Sequence, residues 1–208
     1  MASSLLFPNG VRLAHRDELP GPEPDRARAW ARIQGAEIQP GFVVSASADP
    51  RFDFYGEANV DAHKIWSVFS SLCEQLLGPS ATLLMGEIDD DPESVGMNKV
   101  PLILRCLEPH SYQLTHDGFL QFGLVCKEGS RISEVFVSPT KHFQVWLGDV
   151  NILRTIMQQH GVLEAEALQF IDEYPRTTTQ LSAEKRSFET PKEMILHMKQ
   201  VLAQTWHA

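Results

Sequence analysis

Cysteine is scarce in this chain: Cys73, Cys106 and Cys126 stand far apart, each in an apolar run, with no CxxC pair. That spacing excludes a cysteine zinc site of the usual pattern, and an odd number of thiols cannot all pair within one chain. Each reads as a small buried hydrophobe, which fits a reducing compartment, the cytoplasm. Long apolar runs are missing too, since no stretch nears the ~18 residues of a membrane span. The opening "MASSLLFPNGVRLAHRDELPGPEP" has neither a basic n-region nor a long apolar core, so secretion by signal peptide is not expected. Cations are few and scattered: 18 Lys and Arg stand against 27 Asp and Glu, a net charge of −9. Phosphate binding needs clustered Lys and Arg, and no such cluster occurs. A surplus of this sign repels nucleic acid and anionic membranes and steers the chain toward basic proteins.

Catalytic signatures are absent as well. There is no GxGxxG after a strand, no P-loop and no GxSxG elbow. The eight histidines form no HExxH and pair with no cysteine at zinc spacing. His116 precedes a turn and His142 opens a strand, positions expected to be exposed. "SPTK", residues 138–141, has the spacing of SxxK acyl enzymes. Those enzymes place the Ser and Lys on one helical turn, whereas Pro139 and the flanking strands make this a loop between strands. No catalytic residue, metal site or cofactor is therefore expected.

What is present is an ordinary globular composition, 43% hydrophobic and 22% charged, over 208 residues. "LPGPEP" at 19–24 reads as a connector, "DRARAWARI" at 25–33 as a short helix and "GFVVSASA" at 41–48 as a strand. Residues 59–78 predict a helix capped by Asn59 or Asp61 and stopped at Gly78-Pro79, with Ala62, Ile65, Trp66, Phe69, Leu72, Cys73 and Leu76 on one stripe. "ATLLMGEI" reads as a strand, and "VPLILRCL" at 100–107 as a buried one. "YQLTHDGFLQFGLVC" at 112–126 predicts a hairpin about Asp117-Gly118, with Leu120, Phe122 and Leu124 on a core face. "RISEVFV" and "KHFQVWL" continue the meander. Asp149 caps a helix stopped by Gly161, "EAEALQFIDEYP" reads as a further helix, and 176–189 as a loop. Thr190, Pro191 and Glu193 form a capping box for a last helix striped by Met194, Ile195, Met198, Val201 and Leu202. The expected architecture is α+β: a single domain over 1–208 with an antiparallel meander sheet of about five or six strands flanked by helices. Residues 1–58 read as an irregular N-terminal extension.

The strongest functional feature is "GEIDDDPESVG", residues 86–96, with Glu87, Asp89, Asp90, Asp91 and Glu93 and no cation. A calcium loop starting at Asp89 would need Gly sixth and Glu twelfth, but Ser94 and Val100 stand there. The run reads either as a solvated loop or as a face for a basic partner. Residues 59–110 hold eight acids and three bases, which is more than half of the chain's charge excess. Such a patch raises association with a basic partner by ~10-fold or more. Trp146, if it lies opposite Phe143 and Val145, is a candidate interface anchor.

The order of the helix with "IWSVFSSL", then "DGFLQFGLV", "SEVFVSPTKHFQVW", a short helix and "DEYP" resembles cytoplasmic immunity proteins of bacterial polymorphic toxin and type VI secretion effector systems. The resemblance covers roughly residues 59–175. It implies a non-enzymatic protein that neutralises a cognate antibacterial toxin by occluding its active site or substrate groove. A nuclease toxin would have a basic, phosphate-binding surface. The charge argument then gives Glu87, Asp89, Asp90, Asp91 and Glu93 the role of pairing with toxin Lys and Arg, with no direct nucleic-acid or membrane contact. The rival readings are a hydrolase-like enzyme, which a deep polar pocket would favour, and a general cytoplasmic adaptor, which a large apolar patch would favour.

Overall fold

The computed structural model describes residues 4–184 and 187–205. The elements run β1 (Val11–Leu13), α1 (Glu23–Gln34), β2 (Gly41–Ala46), β3 (Phe54–Asn59), α2 (Ile65–Leu76), β4 (Ser80–Glu87), β5 (Glu93–Lys99), α3 (Val100–Leu107), α4 (Ser111–His116), β6 (Leu120–Glu128), β7 (Arg131–Val137), β8 (Phe143–Leu147), α5 (Val150–Gln159), β9 (Arg176–Thr178), α6 (Leu181–Glu184) and α7 (Pro191–Thr205). The fold is α+β, as expected. Its main sheet has seven antiparallel strands in the order β2-β3-β8-β7-β6-β4-β5, and β1 and β9 form a separate pair. The first 58 residues thus carry β2 and nearly all of β3, which close one side of the main sheet.

Side chains alternate across a strand, and the main sheet uses the alternation to build a one-sided core. Leu120, Phe122 and Leu124 of β6, Val135 and Val137 of β7, and Phe143, Val145 and Leu147 of β8 are all buried. Onto this face α2 packs Ile65, Val68, Phe69, Leu72 and Cys73. The Phe69 and Phe122 rings meet at 4.8 Å, inclined at 67°, and join α2 to the middle of the sheet. α5 adds Leu153, Ile156 and Met157 to the same core, and α7 adds Met194, Ile195, Met198 and Leu202. Two inward glycines admit these helices: a Cβ at Gly56 would come within 2.8 Å of Leu153, and one at Gly96 within 3.4 Å of Leu202.

Several expectations need correction. "VPLILRCL" is not a strand but α3, because Val100, Ile103, Leu104 and Leu107 recur at helical spacing and all four are buried. The expected 112–126 hairpin is absent: α4 occupies Ser111–His116 and only β6 is extended. Asp117-Gly118 instead links helix to strand. The Asp117 carboxylate accepts the Phe119 amide at 2.9 Å, and Gly118 is required by a crossing with Gly10, where each added Cβ would strike backbone of the other segment. The helix read over 59–78 starts only at Ile65, after a 3-10 turn, since Asn59 ends β3 and donates to the Gln39 and Gln169 carbonyls. "EAEALQFIDEYP" is not a continuous helix. Its backbone turns to β2 instead, where the Ala165 amide donates to the Phe42 carbonyl at 2.8 Å. The 176–189 segment, read as a loop, contains β9 and α6. The two capped helices are as expected: Asp149 accepts the Asn151 amide at 2.8 Å, and Thr190 and Glu193 bond reciprocally at 2.8 and 3.3 Å.

The opposite face of the sheet carries two continuous cross-strand rows. One runs Leu84, Gly123, Phe136, Gln144, Glu57, Val43; the other runs Met97, Thr82, Val125, Glu134, Trp146, Tyr55, Ser45. Gly123 is fixed by its neighbour, because a Cβ there would lie 2.5 Å from the Phe136 ring and 2.7 Å from the Val135 carbonyl oxygen. The ring packs against the glycine, and Phe136 is buried on a face whose other row residues are mostly partly exposed. Gly123→Ala is therefore expected to destabilise the chain by about 1–3 kcal/mol in urea unfolding, as overpacking does. Adding Phe136→Ala to that variant should recover part of the loss.

Candidate functional site

The acidic residues sit on the turn of the β4–β5 hairpin. Asp89 adopts φ 68°, a left-handed conformation that Asp tolerates better than most side chains, and it reverses the chain. The turn is held from beneath. The Gln121 side-chain amide donates to the Glu87 carbonyl at 2.9 Å and to the Asp90 carbonyl at 2.6 Å, and the Ile88 amide donates to the Phe119 carbonyl at 2.8 Å. Backbone bonds thus fix the turn and leave its carboxylates outside.

The five acidic residues do not share one environment. Asp89, Asp90 and Asp91 are exposed and adjacent, and among the described residues no ion pair reaches them. Glu87 is half-buried at the end of β4. Glu93 is partnered by Lys199 of α7 at 2.7 Å, so its charge is already matched within the chain. The bare cluster is therefore Asp89–Asp91, with Glu87 at its margin. Among the described residues no group of His, Cys, Asp or Glu is arranged to hold a metal ion.

Gln121 belongs to the open sheet face, as its pairing with Gly86 places it two residues from Gly123 in the first row. The acidic turn therefore borders that face. Further along, Trp146 meets Tyr55 with ring centroids 5.1 Å apart and Phe52 edge-on at 6.4 Å. Trp146 does lie opposite Phe143 and Val145 and is partly exposed. Glu134, its cross-strand neighbour, has its carboxyl raised by burial. Burial and then the charge of Glu57 push the Tyr55 phenol up. A shallow groove at this end is lined by Tyr55, Glu57, Phe170, Glu166 and Glu173.

A second polar cluster surrounds the β7–β8 turn and corrects the expectation of exposed histidines. His142 is mostly buried: its Nδ1 lies 3.0 Å from Ser138 Oγ, 3.2 Å from Thr140 Oγ1 and 2.9 Å from Asp172 Oδ2. Burial pushes the Asp172 carboxyl up, but bonds from His142 and Thr140 and the charges of His142 and Arg176 outweigh it and hold the carboxyl below its ordinary value. A nucleophilic triad needs the serine and the carboxylate on opposite ring nitrogens. Here the hydroxyls and the carboxylate all converge on Nδ1, so the arrangement ties the 170–173 segment to the turn. His116 is likewise half-buried, with Nδ1 accepting the Asn9 amide at 3.1 Å.

Lys141 is the residue whose place the sequence gives no sign of. At φ 67° it turns inward, is 2% exposed, and donates Nζ to the Leu120 carbonyl at 2.5 Å, over the Phe122 ring at 5.9 Å. Burial lowers its amine to about 7, opposed by the Asp117 charge. Burial in turn raises the Asp117 carboxyl, against bonds from the Phe119 and Leu181 amides. Lys141 is thus bonded away from Ser138, and the SxxK spacing carries no chemistry.

Compared with protein-family models, with curated proteins and with solved structures, the chain finds no match. Among the described residues no helix is long and apolar enough to cross a membrane.

The buried lysine has a pH signature. Its amine holds its proton less tightly folded, at about 7, than unfolded, near the ordinary 10.5. Between those values the unfolded chain binds more protons, so this group makes stability rise with pH across that window, and its cost is greatest below it. Urea unfolding at several pH values should give a shallower rise for Lys141→Met than for the wild type. Parallel slopes would mean that Lys141 is solvated.

Proposed function

We propose that this chain is a cytoplasmic immunity protein that binds a co-encoded antibacterial toxin with a basic surface, a nuclease, and blocks its active site or substrate groove. The observation that supports the reading is the β4–β5 turn, where Asp89, Asp90 and Asp91 stand side by side, exposed and, among the described residues, without an ion-pair partner. Clustered like charges repel one another, and that repulsion is relieved when a partner's cations arrive. Because Gln121 anchors the backbone, little ordering is left for binding to impose. A nuclease groove, built for phosphates, offers the matching Lys and Arg.

Two features distinguish this reading from its rivals. The convergence of Ser138, Thr140 and Asp172 on one nitrogen of His142 gives a hydrolase no free base–nucleophile pair at that cluster. An adaptor would present a broad apolar patch, yet Glu57 and Glu134 interrupt both rows of the open face.

Replacing Asp89, Asp90 and Asp91 together by Lys is expected to slow association with the toxin ~10-fold or more at low salt, and less as salt rises. Stopped-flow or interferometric association rates measure this. An association rate unchanged at every ionic strength would reject the electrostatic role.

A further inference from the structure

We infer that the open face of the main sheet is the docking surface for the partner, and that its occupant is a basic protein presenting Lys or Arg beside an apolar contact. The inference rests on the reading above and adds the surface to it. Helices α2, α5 and α7 pack on one side of the sheet, and among the described residues most of the row residues on the other side are left partly exposed. Trp146 and Tyr55 stand towards the β2 edge of these rows, already packed on each other and partly exposed. Trp and Tyr are enriched among the residues that carry most of the binding energy at protein interfaces, and a rigid pair loses little entropy on binding.

Charge identifies the occupant. Glu134 lies directly across from Trp146, and Glu57 stands next along β3 from Tyr55 on the same face. Glu134 is half-buried, burial raises its carboxyl, and among the described residues no ion pair reaches it. Losing water without gaining a counter-charge is costly, and an arriving guanidinium or ammonium removes that cost. The Asp89–Asp91 turn borders the same face through Gln121 at its β4–β5 edge, so the aromatic pair and both sources of negative charge lie on one side of the sheet. A second copy of this chain fits poorly, because a two-fold contact sets these acids against their own kind on a chain of net charge −9. Nucleic acid is repelled for the same reason.

The probe is the purified toxin domain encoded beside this chain, with a catalytic residue removed, and binding is read by interferometry at low and moderate salt. Trp146→Ala should weaken affinity about tenfold or more. Glu134→Gln, nearly isosteric and safe for folding, should weaken it several-fold and flatten its salt dependence. Glu74→Gln, exposed on α2 at the helical side, should bind like the wild type. Thermal unfolding of each variant separates lost binding from lost folding. Tight binding that neither Trp146→Ala nor Glu134→Gln disturbs would overturn this surface and leave the immunity reading standing. No binding by the wild type would reject that reading and the surface with it. A wild-type dimer in light scattering that Trp146→Ala converts to monomer would assign the face to a second copy instead.

Discussion

The alternation of side chains across the main sheet is the constraint on which the other features depend. Phe122, Leu124, Val135 and Val145 leave one face and are buried, while Gly123, Val125, Glu134 and Trp146 leave the other. Helices α2, α5 and α7 pack on the first. Fully burying a Phe or Leu contributes about 1.5–3 kcal/mol, and the Phe69–Phe122 contact places that gain where α2 crosses the sheet centre. A shift of register by one residue would carry Trp146 and Glu134 into the core and Phe143 and Val145 into water. The same rule that makes the fold stable therefore fixes which residues are left for a partner.

Small residues set how closely these layers approach. Gly56 and Gly96 let Leu153 and Leu202 reach the sheet, and Gly123 lets the Phe136 ring approach on the far side. Gly10 and Gly118 allow the N-terminal segment to cross the link between α4 and β6, where the Gly10 amide donates to the His116 carbonyl at 2.8 Å and the Thr179 amide to the Gly10 carbonyl at 2.8 Å. That crossing fastens the N-terminal strand pair to the body of the protein.

Which parts of this were legible in the sequence follows from how each element signals itself. β6, β7 and β8 alternate cleanly, and α5 and α7 carry caps whose bonds form as their residues demand. β3 and β5 were not legible because glycine stands at core-facing positions, Gly56 and Gly96, and so breaks the apolar alternation. "VPLILRCL" is apolar at nearly every position, so helix and strand periods both fit it until packing decides. Asp117-Gly118 has the composition of a turn, but its glycine answers to a neighbour more than a hundred positions earlier in the chain. The acidic run was visible as charge. The loss of Glu93 to Lys199, the inward turn of Lys141 and the pairing of Glu134 with Trp146 all depend on distant segments meeting.

The order of strands in the main sheet has a consequence for biosynthesis. β3 pairs with β8, so the N-terminal hairpin that supplies Phe54–Asn59 waits on the ribosome for about 90 further residues before its neighbour exists. At ordinary elongation rates that delay is about 5–20 s. Throughout it, one ladder of amides and carbonyls on β3 stays open to any stray extended chain. During synthesis this edge is therefore where off-pathway strand pairing is expected, until the eighth strand emerges.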